Sequence, residues 1–289
     1  MILKGIILAG GTGSRLSPLT KSVNKQLLPV YDKPLIFYPL SVLMLANIRN
    51  ILIIVNKGQI NNFKKLLGDG KFFGIKISYI EQNKPNGLPE AFKIGKNFIG
   101  KDNVALILGD NFFYGHSLSD LLIKSKSFQT GCKIFLKSVK NPHHYGVAKI
   151  QENKITHIIE KPKKFVSDKA ITGLYYFDNK VVKYSEKLKP SKRGETEITD
   201  LIKIYKNNSL LSYEEIGRGA IWSDAGKIED LNNISNFVAS IENVQSFKIG
   251  CLEEIAYKKK WINKIFLKKI IASYGKSNYS MYLNDLLRS

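Results

Sequence analysis

Three continuous apolar runs, at residues 6–9, 51–55 and 104–108, constrain the fold of this 289-residue chain more than any other feature. None alternates apolar with polar residues, so each reads as a parallel strand buried on both faces. The pattern between them is different. A helical spacing over 59–67 stops at Gly68, a further strand is predicted over 75–80, and Pro89 suits the first turn of a helix running to about residue 99. Strand and helix alternating in this way require a sheet with helices on both faces. The middle of the chain changes character, with predicted strands at 132–139, 147–150, 154–159 and 171–177 and a hairpin turn at Glu152-Asn153. From Lys227 onward the apolar spacing through Leu231, Ile234 and Val238 is helical.

The expected fold class is therefore α/β: a Rossmann-like mixed, mostly parallel sheet flanked by helices, with a helical C-terminal appendage. No proline- or serine-rich linker divides the chain. We expect one domain over 1–244 and a helical extension of it over 245–289.

Composition removes several function classes. The net charge of +21 comes from lysines scattered along the whole chain, with short runs only at 163–164 and 258–260. None is interleaved with aromatics as a base-stacking platform requires, so the charge is read as codon bias and no nucleic-acid partner is expected. The apolar runs are too short to span a bilayer or to form the core of a secretory signal, so no membrane association and a cytoplasmic location are expected. Cys132 and Cys251 lack metal or redox spacing. His116, His143, His144 and His157 show no i, i+4 pairing, which argues against zinc.

The first strand runs into Gly10-Gly11-Thr12-Gly13-Ser14-Arg15-Leu16. Glycines directly after a buried strand let successive N–H groups face an anion. Leu16 stands where a dinucleotide fingerprint needs glycine, and no glycine-lysine-serine/threonine follows for a Walker loop. Arg15 and Lys25 could grip a phosphate chain, one through a planar fork and the other as a compact charge. An ordinary strand-to-helix turn with solvated basic residues fits the same letters. Asp110 follows the third buried run, at the sheet edge where ligands of open α/β sheets bind. Asp224 closes a second short apolar segment. Two such acids suit a Mg²⁺ ion that completes its shell with water and substrate phosphate, although each alone also fits a turn or a helix cap. Gln82 ends the predicted strand before the turn at Gly87, and an amide can pair with a pyrimidine through both its donor and its acceptor. Gly87 would let a base come close.

Residues 5–40 resemble the N-terminal signature of the sugar nucleotidylyltransferases. The likeness is carried by the glycine loop through Leu16, by Lys25-Gln26-Leu27-Leu28-Pro29 and by Val30-Tyr31-Asp32-Lys33-Pro34-Leu35-Ile36, and it extends to the C-terminus. Within that family the chain looks most like the members that use dTTP and glucose 1-phosphate, with UTP or CTP as the alternative triphosphate. The resemblance implies Arg15 and Lys25 as catalytic residues, and Gly10, Gly11, Gly13, Ser14, Gln26, Gln82 and Gly87 as nucleotide contacts. It implies Asn111, Tyr145, Gly146, Glu160, Lys161 and Ile171 for the sugar phosphate, and Asp110 and Asp224 for Mg²⁺. It further implies a homotetramer and feedback by a dTDP-sugar such as dTDP-rhamnose, with Tyr114-Gly115-His116 and the tail from Cys251 lining the regulatory surface. Departures from the family pattern are Ser14, Ala225 and Lys227 in place of threonine, Pro89 and Glu90 in place of alanine and glutamine, and Ile171 in place of valine.

Overall fold

The computed structural model describes residues 3–288. In chain order the strands are β1 (Leu3–Ala9), β2 (Pro29–Val30), β3 (Lys33–Pro34), β4 (Asn50–Asn56), β5 (Lys76–Gln82), β6 (Asn103–Leu108) and β7 (Asn111–Gly115). They continue with β8 (Cys132–Ser138), β9 (Gly146–Gln151), β10 (Lys154–Glu160), β11 (Lys169–Phe177), β12 (Leu211–Glu215) and β13 (Ala220–Asp224). The helices are α1 (Phe37–Leu45), α2 (Ile60–Leu67), α3 (Glu90–Ile94), α4 (Lys96–Ile99), α5 (Leu118–Ser125) and α6 (Val181–Glu186). After them come α7 (Ile198–Asn207), α8 (Ile228–Gln245), α9 (Leu252–Lys258), α10 (Lys264–Ser273) and α11 (Asn278–Asp285).

The main sheet has the order β10-β9-β11-β6-β1-β4-β5, with β8 also pairing β11 and β12 pairing β8. β6, β1, β4 and β5 are mutually parallel. β11 then joins β6 in the antiparallel sense. The apolar runs behave as two-sided strands must. Ile7, Ile53 and Ile107 enter the cluster on one face, and Ile6, Leu52, Ile54 and Leu106 the cluster on the other. Side chains alternate across the sheet, so a run without polar interruption survives only where both faces are covered.

The predicted hairpin is present. Glu152 (φ 49°) and Asn153 (φ 58°) both lie in the left-handed region, as a two-residue type I′ turn requires. The helix expected from Pro89 to residue 99 is instead two short helices broken at Gly95. A Cβ at Gly95 would lie 2.9 Å from the Ala91 carbonyl oxygen and 2.9 Å from Ile6 Cδ1, so the glycine lets the helix backbone press onto β1. The antiparallel ribbon of β7 and β13 and the edge strand β12 were not anticipated.

Beyond α8 the chain is helical. Leu252 and Ala256 of α9 and Leu267 and Ile270 of α10 share a core cluster with Leu40 and Met44 of α1. A buried ionic knot ties this end to the β2–β3 hairpin. Glu242 on α8 sits 3.0 Å from Lys33 Nζ and 3.0 Å from Lys248 Nζ, and both lysines also pair with Asp32. The Ile249 N–H donates to the same Glu242 carboxylate at 2.8 Å. Among the described residues no helix is long and apolar enough to cross a membrane.

Candidate active site

The carboxyl ends of β1, β4, β5 and β6 deliver Gly10, Asn56, Gln82 and Asp110 to one edge of the sheet. After β1 the chain turns through Gly11 (φ 103°) and Gly13 (φ 62°), conformations that side chains other than glycine's resist. Residues 14–16 then form one tight helical turn, closed by Leu16 N–H to Gly13 O at 2.8 Å and anchored by the buried Leu16 side chain. This leaves Arg15 exposed beside the loop.

Lys25 is buried in a second short turn, where the Asn24 side chain accepts the Gln26 N–H. Its ammonium donates to Asp110 Oδ2 at 2.7 Å. Burial pushes the Asp110 carboxyl up, but the Lys25 charge, the Lys25 hydrogen bond and one from Asn111 outweigh it and hold the group below the usual carboxylate value.

The second acid arrives through the ribbon. β7 begins directly after Asp110, and its pairing with β13 sets Asn111 opposite Asp224. Two acids 114 positions apart in sequence thereby share one site (224 less 110). The Tyr145 hydroxyl donates to Asp224 Oδ1 at 2.9 Å. Burial and then the neighbouring charge of Asp110 hold the Asp224 carboxyl above its ordinary value. Arg15 reaches the same spot: a Cβ placed on Gly226 would lie 3.0 Å from Asp224 Oδ2 and 3.5 Å from Arg15 Nη1.

The cleft above these residues encloses about 1170 Å³, including space open to solvent. That is ample for a small ligand. Gln82, Gly87, Asn111, Tyr145, Gly146, Glu160, Lys161, Ile171 and Asp224 line it. A second depression, lined by Gly13, Ser14, Lys25 and Gln26, adjoins it and shares Gly10, Gly11, Arg15 and Asp110. Every residue expected to contact the nucleotide, the sugar phosphate or the metal thus borders one of these two adjoining hollows.

The roles of some lining groups are sharper than the sequence shows. Asn111 is almost wholly buried. Its Oδ1 accepts from Gly173 N–H (3.1 Å) and Trp222 Nε1–H (2.6 Å), and its Nδ2 donates to Asp110 Oδ1 (2.9 Å), so it braces the acid. Gly87 (φ 110°) makes room for protein backbone: a Cβ there would stand 2.1 Å from the Thr196 carbonyl oxygen. Glu160 and Lys161 lie at the end of β10, and Lys161 has a left-handed φ of 42°, a strained conformation of the kind found at functional sites. Burial, then the charge of Glu197, raise the Glu160 carboxyl against the opposing charges of Lys161 and Arg193. Arg193 fans out to Glu160, Glu195 and Glu197 at 3.7–3.8 Å.

Sequence reasoning missed Asn56, whose side chain joins the glycine loop to Gln82, and the brace from Trp222 to Asn111. Asn56 ends an apolar run and carries no motif, so only its position at the sheet edge could have drawn attention to it.

The acidic pair suits a divalent cation. Asp224 is a partly buried carboxylate pressed by a like charge, and a cation held by the pair would relieve that repulsion. Among the described residues no group of three or more His, Cys, Asp or Glu side chains is placed to hold a metal. Two carboxylates beside an open hollow would suit a hard divalent cation that takes its remaining ligands from other oxygen donors.

The sequence profile of the nucleotidyl transferase family matches residues 4–241. The glucose-1-phosphate thymidylyltransferase of Neisseria meningitidis is 49% identical over 287 residues, covering 99% of this chain and 100% of that protein. The enzyme of the same name from Xanthomonas campestris is 47% identical over 286 residues, covering 99% of this chain and 97% of that one. Among solved structures, one from Bacillus anthracis described as a glucose-1-phosphate thymidylyltransferase, in complex with a sucrose, superposes with a TM-score of 0.76 at 41% identity, covering 81% of this chain and 94% of that one. A UDP-glucose pyrophosphorylase complexed with UDP-glucose gives a TM-score of 0.72 at 25% identity, covering 83% and 99%.

Proposed function

The chain belongs to the nucleotidyl transferase family, and on that premise we propose that it transfers the thymidylyl group of dTTP to glucose 1-phosphate, forming dTDP-glucose and pyrophosphate. The observation that carries this reading is the convergence of Arg15, Lys25, Asp110 and Asp224 on one cleft at the carboxyl edge of the sheet. It is supported by full-length relatives that bear the corresponding name.

The phosphate of glucose 1-phosphate is already anionic at neutral pH, so the reaction needs no general base. One of its oxygens bonds to the α-phosphorus of dTTP as the bond to the bridging oxygen breaks, and pyrophosphate carries away the electron pair. Catalysis then rests on positioning and charge stabilisation. Lys25 spends one of its three donors on Asp110, leaving the others for the α-phosphate. Arg15 and the N–H groups of Thr12 to Ser14 receive the departing pyrophosphate. Lys161 orients the attacking phosphate, Glu160 accepts from the sugar hydroxyls, and Gln82 reads the base edge. Asp110 and Asp224 would hold Mg²⁺, which would supply neutralising charge to the triphosphate.

Residues 1–244 form the catalytic domain in this reading, and 245–289 a helical extension of it. We place the enzyme in the cytoplasm. We also read the enzyme as a homotetramer under feedback by a dTDP-sugar such as dTDP-rhamnose; a second cavity, lined by Tyr114, His116, Ser117, Lys248, Cys251 and Lys258 among others, offers the regulator a place to bind.

Pyrophosphate release from glucose 1-phosphate with dTTP, UTP and CTP in turn tests the substrate pair. The reading predicts the highest kcat/KM with dTTP. A clear preference for UTP would favour the alternative suggested by the likeness to UDP-glucose pyrophosphorylase, and no release with any triphosphate would end the enzyme reading.

A further inference from the structure

We propose that Asn56 is a specificity-determining positioning residue, which relays the fixed polarity of the Gly11 peptide to the amide of Gln82 and so sets the site to accept keto pyrimidines and refuse cytosine. The inference rests on the reading of Gln82 as the base contact and extends it.

An amide side chain can ordinarily be turned over, exchanging donor for acceptor. At Asn56 it cannot. The Gly11 N–H donates to Asn56 Oδ1 at 3.0 Å, and Asn56 Nδ2 donates to the Gly11 carbonyl oxygen at 2.6 Å. A backbone N–H only donates and a backbone carbonyl only accepts, so one orientation of Asn56 makes both bonds and the other makes neither.

Asn56 and Gln82 are register partners at the ends of β4 and β5. Gln82 Nε2 donates to the same Asn56 Oδ1 at 3.2 Å. Turned over, Gln82 would set Oε1 against Oδ1, two acceptors with no proton between them. The amide is also held from below, since a Cβ on Gly10 would lie 1.6 Å from Gln82 Nε2 and 3.1 Å from Oε1. The direction of the Gln82 amide is thus inherited from a peptide of the glycine loop.

An amide fixed this way offers Oε1 as acceptor and its remaining Nε2 hydrogen as donor. Thymine and uracil present an N3–H donor flanked by carbonyl acceptors, which matches. With the base in the same pose, cytosine has an acceptor at N3 and an amino donor at position 4, and would pair only with the amide reversed. Leaving those groups unmatched against the buried Gln82 amide is costly.

The test compares kcat/KM for dTTP and dCTP, with glucose 1-phosphate, in the full-length protein and in Asn56→Ala, Asn56→Ser, Asn56→Asp and Gln82→Leu. The relay predicts that the dTTP preference falls on the order of tenfold in Asn56→Ala, the scale of one hydrogen bond, mainly through KM. Asn56→Ser does the same, because a hydroxyl either donates or accepts and imposes no direction; it also serves if the alanine variant does not fold. Asn56→Asp keeps an acceptor facing Gln82 and retains the preference within about twofold, whatever its overall rate. A preference unchanged in Asn56→Ala and Asn56→Ser but lost in Gln82→Leu would overturn the relay and leave the base contact standing. A preference unchanged in Gln82→Leu as well would remove the base contact and the relay together.

Discussion

Lys25 Nζ lies 2.7 Å from Asp110 Oδ2, joining a turn after the first strand to the end of β6 across 85 positions of sequence. The pair sets both the charge of the acid and the place of the ammonium, so its loss has two separable signatures. Lys25→Ala should lower kcat by on the order of 10²–10³, the scale of removing one preorganised charge donor. It should also move the acid limb of the rate profile to higher pH, because the Lys25 charge is what offsets burial at Asp110. Steady-state rates across pH check both, and normal turnover in Lys25→Ala would exclude its role.

Asp224 has the opposite electrostatics. Its carboxyl is held above its ordinary value of 3.8 by burial and by Asp110, so just above that pH the folded state binds a proton that the unfolded state has released. For this group, stability is greatest below the ordinary value, falls as pH rises through the window up to the folded value, and stays lower above it. Asp224→Asn should therefore raise the melting temperature of the metal-free protein at neutral pH, by roughly 2 °C for each 1 kcal/mol regained, while abolishing turnover. Scanning calorimetry with and without Mg²⁺ reads this, and Mg²⁺ should stabilise only the parent protein.

Gly10 carries no side chain because the Gln82 amide fills that space; a Cβ would meet Nε2 at 1.6 Å. Gly10→Ala should displace Gln82 and raise KM for dTTP by tenfold or more, at about the scale of losing a base contact, with a smaller change in KM for glucose 1-phosphate. Initial rates varying each substrate separate the two.

The knot of Lys33, Asp32, Glu242 and Lys248 should be a principal fastening of the C-terminal helices. Lys33 and Glu242 are both nearly inaccessible. Lys33→Met leaves Lys248 to face two carboxylates and should cost about 3–5 kcal/mol, as breaking a buried pair does. Urea denaturation measures this, and limited proteolysis should show the segment after α8 cleaved first.

Much of this was legible in the letters, and the exceptions share a cause. The runs at 6–9, 51–55 and 104–108 reported a two-sided parallel sheet because burial on both faces excludes polar residues. Glu152-Asn153 gave its turn because the preference there is local. Arg15, Lys25, Asp110 and Asp224 could be named individually from charge, strand ends and resemblance. Their meeting was expected from the resemblance alone, because Asp224 reaches Asp110 through the β7–β13 ribbon, a pairing between distant segments. Asn56 was invisible for the same reason: its value lies in facing Gly11 and Gln82 at once, and neither is near it in sequence. The helix predicted through Gly95 failed where close packing on Ile6 overrode local spacing.

The central claim is that Arg15, Lys25, Asp110 and Asp224 act on one bound triphosphate. A crystal structure with dTTP and Mg²⁺ measures that directly. The account predicts Lys25 Nζ within hydrogen-bonding distance of the α-phosphate, the terminal phosphates on the Gly11–Arg15 loop, and the metal between the carboxylates of Asp110 and Asp224. A triphosphate bound elsewhere, or a metal touching neither aspartate, would contradict it.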